Sequence, residues 1–143
     1  MTEQFQRERV VHEAMSWIGT PYHHHGRVHG EGVDCAQLLI ASYADAGVLP
    51  PIDPGFYAYD WHLHRSEEVF AQWLEKQGGR RVQTPALGDV LLFKYGRCFS
   101  HGGIWIGDRV VHSYIRLGVC AHRLTEAPLN GREVQAWTMW GER

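Results

Sequence analysis

The chain is 143 residues long, 44% hydrophobic and 21% charged, the balance of one ordinary globular domain. Fourteen Lys and Arg against sixteen Asp and Glu leave a net charge of -2, so no cationic surplus recruits nucleic acid or an anionic membrane surface. No apolar run approaches the roughly 20 residues that span a bilayer, and the polar start Met1-Thr2-Glu3-Gln4 lacks the pattern of a secretion signal. The expectation is a chain that is cytoplasmic when synthesised.

Residues 3 to 17 are predicted to be helical, with Phe5, Val10, Val11, Ala14, Met15, Trp17 and Ile18 recurring near the 3.6 period and Glu3, Gln4, Arg7, Glu8 and Glu13 between them. Gly19-Thr20-Pro21 stops this helix. Tyr22 to Asp34 is rich in glycine and histidine and follows neither period, so it reads as a loop. A second helix is predicted from Cys35 to Ala46, with Asp34 as N-cap, Leu38, Leu39, Ile40, Tyr43 and Ala44 as its buried stripe, and Gly47 as its stop.

Residues 48 to 62 combine prolines with Phe56, Tyr57, Tyr59 and Trp61, which reads as an ordered surface loop rather than a linker between domains. Ser66-Glu67-Glu68 opens a third predicted helix, carrying Val69, Phe70, Trp73 and Leu74 inward and ending at Gly78-Gly79. From Asp89 onward short β-rich runs alternate with turns: Val90 to Tyr95, Gly103 to Ile106, Val110 to Tyr114, Val119 to Arg123 and Val134 to Trp140, with Gly107-Asp108 as a hairpin turn. Helices first and an antiparallel sheet second is the α+β pattern, in a single domain over residues 1–143.

Three cysteines, Cys35, Cys98 and Cys120, are too few for a disulfide scaffold and read as reduced thiols. Cys35 falls on the first turn of a helix, directly after a glycine-rich loop. Unsatisfied N–H groups and the helix dipole there favour a negative charge, which lowers a thiol pKa, and the same N–H groups can hold an oxyanion. His101 and His112 fall on adjacent predicted strands joined by Gly107-Asp108, within a residue or two of direct pairing. A thiol, an imidazole base and a second imidazole orienting the first form a nucleophilic triad. An ion pair between Cys35 and His101 predicts a bell-shaped pH profile.

The order of these residues resembles the NlpC/P60 cysteine peptidases, which are papain-like and mostly cleave bacterial cell-wall peptides. The resemblance runs through Gly19-Thr20-Pro21-Tyr22, Asp34-Cys35 with its helix, Pro85-Ala86-Leu87-Gly88-Asp89 leading into Val90-Leu91-Leu92-Phe93, His101-Gly102-Gly103-Ile104-Trp105-Ile106-Gly107, and Val110-Val111-His112. It implies an α+β papain-like domain in which Cys35 is the nucleophile, His101 the general base and His112 the orienting residue. It further implies a Tyr22 hydroxyl near the oxyanion or substrate, and an Asp34 that recognises the substrate's amino end. The family usually follows Asp-Cys with Ser-Gly, whereas Ala36-Gln37 follows here, removing a hydroxyl that would contact substrate.

The implied substrate is a peptidoglycan stem peptide, cut between D-glutamate and a diamino acid, with no metal or other cofactor required. The segment Tyr57 to His64 resembles the compact members encoded among phage-tail and gene-transfer-agent genes, which implies phage-tail partners and delivery with a particle. A second class of function is a tail or wall-binding component that kept the fold and lost turnover. A third is a zinc hydrolase using His23, His24, His25, His29, His62 and His64, but no spacing such as Cys-x-x-Cys or His-Glu-x-x-His accompanies them. These histidines read as loop residues, the Cys98-x-x-His101 spacing as strand packing, and Cys120 as core. An acyltransferase on a related fold is the remaining alternative.

Overall fold

The computed structural model describes residues 1–52 and 68–141. The aromatic segment Tyr57 to His64, with Trp61, His62 and His64, and the opening Ser66-Glu67 of the third predicted helix lie outside the described residues.

Helix α1 spans Glu3–Met15 and is capped by Thr2, whose side chain accepts from the Phe5 N–H at 3.1 Å. Its buried stripe is Arg7, Val10 and Ala14, whereas Phe5, Met15 and Ile18 stay about half exposed. The hydrophobic period therefore predicts the helix correctly but misplaces its inner face. Arg7 goes inward because partners wait for it. Its guanidinium donates to Glu3 Oε2 at 2.9 Å, the Leu87 carbonyl at 2.8 Å, Asp89 Oδ1 at 2.8 Å and Thr138 Oγ1 at 3.2 Å, and lies 4.1 Å from the Trp140 ring centroid.

Helix α2, Cys35–Asp45, is capped by Asp34, whose carboxylate accepts from Gln37 N–H at 2.8 Å. All residues from Ala36 to Tyr43 are buried, so this helix is enclosed on every side, more completely than a single stripe implies. Helix α3, Val69–Lys76, turns Phe70, Ala71 and Leu74 inward. It begins after the predicted Ser66-Glu67 opening, and Glu68 makes no side-chain cap bond.

Two short strands, β1 (Arg27–Val28) and β2 (Gly32–Val33), form a hairpin inside the stretch read as loop. The main sheet contains β3 (Arg80–Val82), β4 (Val90–Tyr95), β5 (Cys98–Trp105), β6 (Val110–Tyr114), β7 (Gly118–His122) and β8 (Val134–Thr138). Its order is β3-β8-β4-β5-β6-β7, antiparallel throughout, with the last strand inserted between β3 and β4. Val90 and Leu92 pack into the cluster shared with the helices. Leu91 and Phe93 join Val110, Leu129 and Ala136 in a second cluster. The uninterrupted run Val90 to Phe93 is thus a strand buried on both faces.

The structure therefore has the α+β single-domain architecture that the order of elements implies. Strand β5 begins at Cys98, five residues before the predicted start, because Cys98 to His101 pair with β4 from Tyr95 back to Phe93. His101 consequently sits within the strand instead of at its beginning.

Candidate active site

Cys35 is the first residue of α2 and is partly buried. Its Sγ faces the Ser100 carbonyl at 4.0 Å, and the N–H groups of Gly102, Ala36 and Cys35 itself are directed at the sulfur. Ser100 and Gly102 flank His101, so α2 delivers the thiol to the part of β5 that carries His101. Two features hold this alignment. Ser113, next to His112, donates to the Val33 carbonyl at 2.7 Å, two residues before Cys35, and a Cβ on Gly102 would lie 3.0 Å from Leu39 Cδ1 of α2. A side chain at 102 would crowd Leu39 and Leu92 and make them give by a few tenths of an ångström.

The helix start does not lower the thiol pKa. Burial pushes Cys35 up to about 12, the neighbouring Asp34 carboxylate adds to the rise, and the three N–H groups oppose it without prevailing. The charged Asp34 that caps the helix offsets the dipole that the cap exposes. The sulfur reaches the Ser100 carbonyl, and the raised Cys35 pKa together with the lowered His101 pKa favours a neutral thiol and a neutral imidazole at rest.

His101 Nε2 lies 2.8 Å from His112 Nδ1, and His112 Nε2 lies 2.9 Å from His122 Nδ1. Three imidazoles thus form a continuous chain across β5, β6 and β7. Gly103 makes room for it: a Cβ there would stand 3.0 Å from His112 Cβ and 2.4 Å from Val110 Cγ1. His101 and His112 are both buried and favour the neutral form. Burial lowers His101 well below 6.5, helped by His112; burial lowers His112 to about 3, helped by His122. Phe93, Tyr95 and Tyr114 surround the His101 ring at centroid distances of 6.1, 5.6 and 5.4 Å.

One of the two possible hydrogen-bond directions would leave His101 able to act as a base. To accept a proton at Nδ1, which has no partner among the described residues, His101 must carry its own proton on Nε2 and donate it to His112 Nδ1. His112 then donates from Nε2 to His122. With that tautomer, an imidazole able to accept a proton stands on the strand that the thiol faces, an arrangement that could carry acyl transfer through a covalent thioester.

Residues 19–139, a span that contains Cys35, His101 and His112, match the NlpC/P60 family. The chain belongs to the NlpC/P60 family. No curated protein matches it by sequence. Among solved structures, it is similar to the NlpC/p60 domain of the peptidoglycan hydrolase SagA, at 18% identity and a TM-score of 0.58 over 90% of this chain and 96% of that one. It is also similar to an NLP/P60-family protein from Staphylococcus aureus described as similar to lipoprotein, at 19% identity and 0.61 over 94% of this chain and 42% of that one. A third is RipD from Mycobacterium tuberculosis, a non-catalytic NlpC/p60 domain protein adapted to peptidoglycan binding, at 17% and 0.56 over 92% and 95%. At these identities the likeness is one of fold.

The remaining predicted residues of this NlpC/P60 domain fall as follows. Tyr22 pairs in parallel with Val33 through an isolated bridge, which brings its backbone beside the Asp34-Cys35 start of α2. Asp34 is 2% exposed, and its carboxylate accepts from the backbone N–H groups of Gln37 at 2.8 Å and His25 at 2.7 Å. Much of its capacity is spent on structure. Ala36 is buried with its methyl in the core, so it offers the site only its N–H.

Among the described residues the loop histidines gather no three ligand atoms, although the His24 and His25 rings meet edge-on with centroids 4.1 Å apart. His23 Nδ1 meets the His24 carbonyl at 3.0 Å, His24 approaches Asp34 at 3.8 Å, and His29 stacks on Trp17 with centroids 3.6 Å apart. Two corrections come from the sheet edge. Cys120 is not core: it lies partly exposed on β7, 3.6 Å from His122 Nδ1 and 4.0 Å from His112 Nε2. His122 was not singled out by sequence, although its place two residues after Cys120, on a strand paired with β6, is the signal that reaches it.

Proposed function

We propose that this chain is a cysteine peptidase that hydrolyses amide bonds in peptidoglycan stem peptides, between D-glutamate and a diamino acid. The observation that carries this reading is the placement of the Cys35 sulfur against the residues flanking His101, with the His101 tautomer held by His112 2.8 Å away. Turning from the Ser100 carbonyl toward His101 Nδ1, the thiol gives up its proton as sulfur attacks the carbonyl carbon. The N–H groups of the α2 start receive the oxyanion, and Tyr22 borders that end of the site. His101 then passes the proton to the departing amine, leaving a thioester. It next takes a proton from water, whose oxygen displaces the thiol. Both groups begin neutral, so proton transfer accompanies attack rather than preceding it.

The likeness of Tyr57 to His64 to compact phage-tail members supports delivery with a tail-like particle and contact with its proteins. A second reading, a peptidoglycan-binding domain without turnover, draws support from the high thiol pKa and from RipD. Incubating the protein and its Cys35→Ala variant with defined muropeptides, with and without chelator, separates the two. New amine termini by mass spectrometry that vanish in Cys35→Ala and survive the chelator are expected. Binding of the same muropeptides without any cleavage by folded wild type would overturn the peptidase reading.

A further inference from the structure

We propose that His112, Cys120 and His122 form a zinc site at the sheet edge, and that its occupation switches off the base. The regulatory half of this inference rests on the peptidase reading; the metal site does not. His112 and Cys120 are direct cross-strand partners on β6 and β7, and His122 follows Cys120 by two residues, so all three side chains share one face. The ligand atoms of the three lie within 4.8 Å of one another, and this is the one such grouping of three among the described residues. β7 is the terminal strand of the sheet, and Cys120 and His122 are partly exposed, so an ion can enter from solvent while His112 forms the buried floor.

The spacing suits zinc. Tetrahedral bonds of about 2.05 Å to nitrogen and about 2.3 Å to sulfur place two nitrogens about 3.3 Å apart and nitrogen and sulfur about 3.6 Å apart. The observed separations are 2.9 Å between the two nitrogens, 3.6 Å from Cys120 Sγ to His122 Nδ1 and 4.0 Å to His112 Nε2. Shifts of about 0.4 Å close the site, within what side-chain torsions allow. One thiolate with two imidazoles is a ligand set zinc accepts, and three protein ligands leave its fourth position open. The hydrolytic mechanism gives Cys120 no task, and its sulfur, besides facing the Gly118 carbonyl at 3.6 Å, stands within 4.0 Å of two imidazole nitrogens.

Binding reverses the imidazole chain. Zinc takes the lone pair of His112 Nε2, so the proton of His112 must reside on Nδ1. There it faces His101 Nε2 and can only be donated to it. His101 Nε2 becomes the acceptor, and the His101 proton moves to Nδ1, the nitrogen that must be empty to receive the thiol proton. His122 keeps its proton on Nε2 throughout, and Cys120 loses one proton to solvent as its thiolate binds. Loaded zinc therefore leaves the geometry intact and holds the base in the wrong tautomer.

The test titrates metal-free protein with Zn²⁺ by calorimetry and with Co²⁺ by absorption, for wild type, Cys35→Ala and Cys120→Ala. Expected are one ion per chain, a thiolate-to-cobalt charge-transfer band that persists in Cys35→Ala and vanishes in Cys120→Ala, and zinc affinity in Cys120→Ala weaker by more than about a hundredfold. Absence of binding, or a cobalt band unchanged in Cys120→Ala, overturns the site. Nitrogen-15 shifts of the histidine rings report the switch without turnover, and zinc should move the His101 proton from Nε2 to Nδ1. Unchanged ring shifts overturn the switch. In hydrolysis, Cys120→Ala should match wild type without metal and resist zinc at least tenfold better. Equal inhibition of both also overturns the switch, since zinc then acts at Cys35. A wild type without hydrolysis refutes the peptidase reading alone, because binding and ring shifts are read independently.

Discussion

Cys35 should react with iodoacetamide far more slowly than an ordinary thiol, and the size of the effect follows from its surroundings. With a pKa of about 12, about one Cys35 in thirty thousand is a thiolate at pH 7.5, against roughly one in ten for a free cysteine near 8.5. That is a deficit of about 3,000-fold. A more basic thiolate is also a better nucleophile, and a Brønsted coefficient of about 0.45 over 3.5 units returns about 40-fold. The net expectation is alkylation about a hundredfold slower than for the same cysteine in denatured protein. Peptide mapping by mass spectrometry isolates Cys35 from Cys98 and Cys120, and the denatured chain supplies the reference. The rate should climb tenfold per pH unit from 6 to 10, because thiolate rises by that factor everywhere below the pKa. Hydrolysis should instead stay level over the neutral range, because His101 is neutral above its lowered pKa and the thiol protonated below its raised one. Fast alkylation that is flat between pH 5 and 8 would mean a preformed thiolate–imidazolium pair and refute the argument.

Three further outcomes follow from packing and hydrogen bonding. Replacing His112 with Leu should lower kcat by about 10²-fold or more, with His112→Asn recovering part of the loss because an amide oxygen still accepts from His101 Nε2; equal rates for the two would remove the orienting role. Arg7→Met should cost about 3–5 kcal/mol in urea unfolding, since Asp89, 1% exposed, loses its cation, and a cost below about 1 kcal/mol would show that the pair is not structural. Gly103→Ala should destabilise by more than about 1 kcal/mol and lower activity, because the added methyl meets Val110 Cγ1 at 2.4 Å and the Val111 carbonyl at 2.8 Å; neutral stability would mean that the strands separate freely there.

The elements most legible in sequence were those with a strong period or a clean stop. Asp34 before Cys35 predicts the start of α2 because a carboxylate there caps an exposed N–H, and the structure contains that bond. Gly107 adopts φ 109° in the hairpin turn that the Gly107-Asp108 pair predicts, and the turn brings His112 beside His101. The β1–β2 hairpin was not legible, because two-residue strands carry no period. The period sets Arg7 on the polar side by its charge, since periodicity has no knowledge of Asp89, 82 positions away in the chain.

By itself the sequence determined the α+β order, the cap that puts a cysteine on a helix start, and two histidines on neighbouring strands, because each depends on residues close in the chain. Only the tertiary structure decided the electrostatics and the partners. Burial and Asp34 outweigh the helix N–H groups at Cys35, and the pairing of β6 with β7 brings His122 and Cys120 to His112. Desolvation and cross-strand neighbours are properties of the assembled fold, so no local pattern encodes their balance.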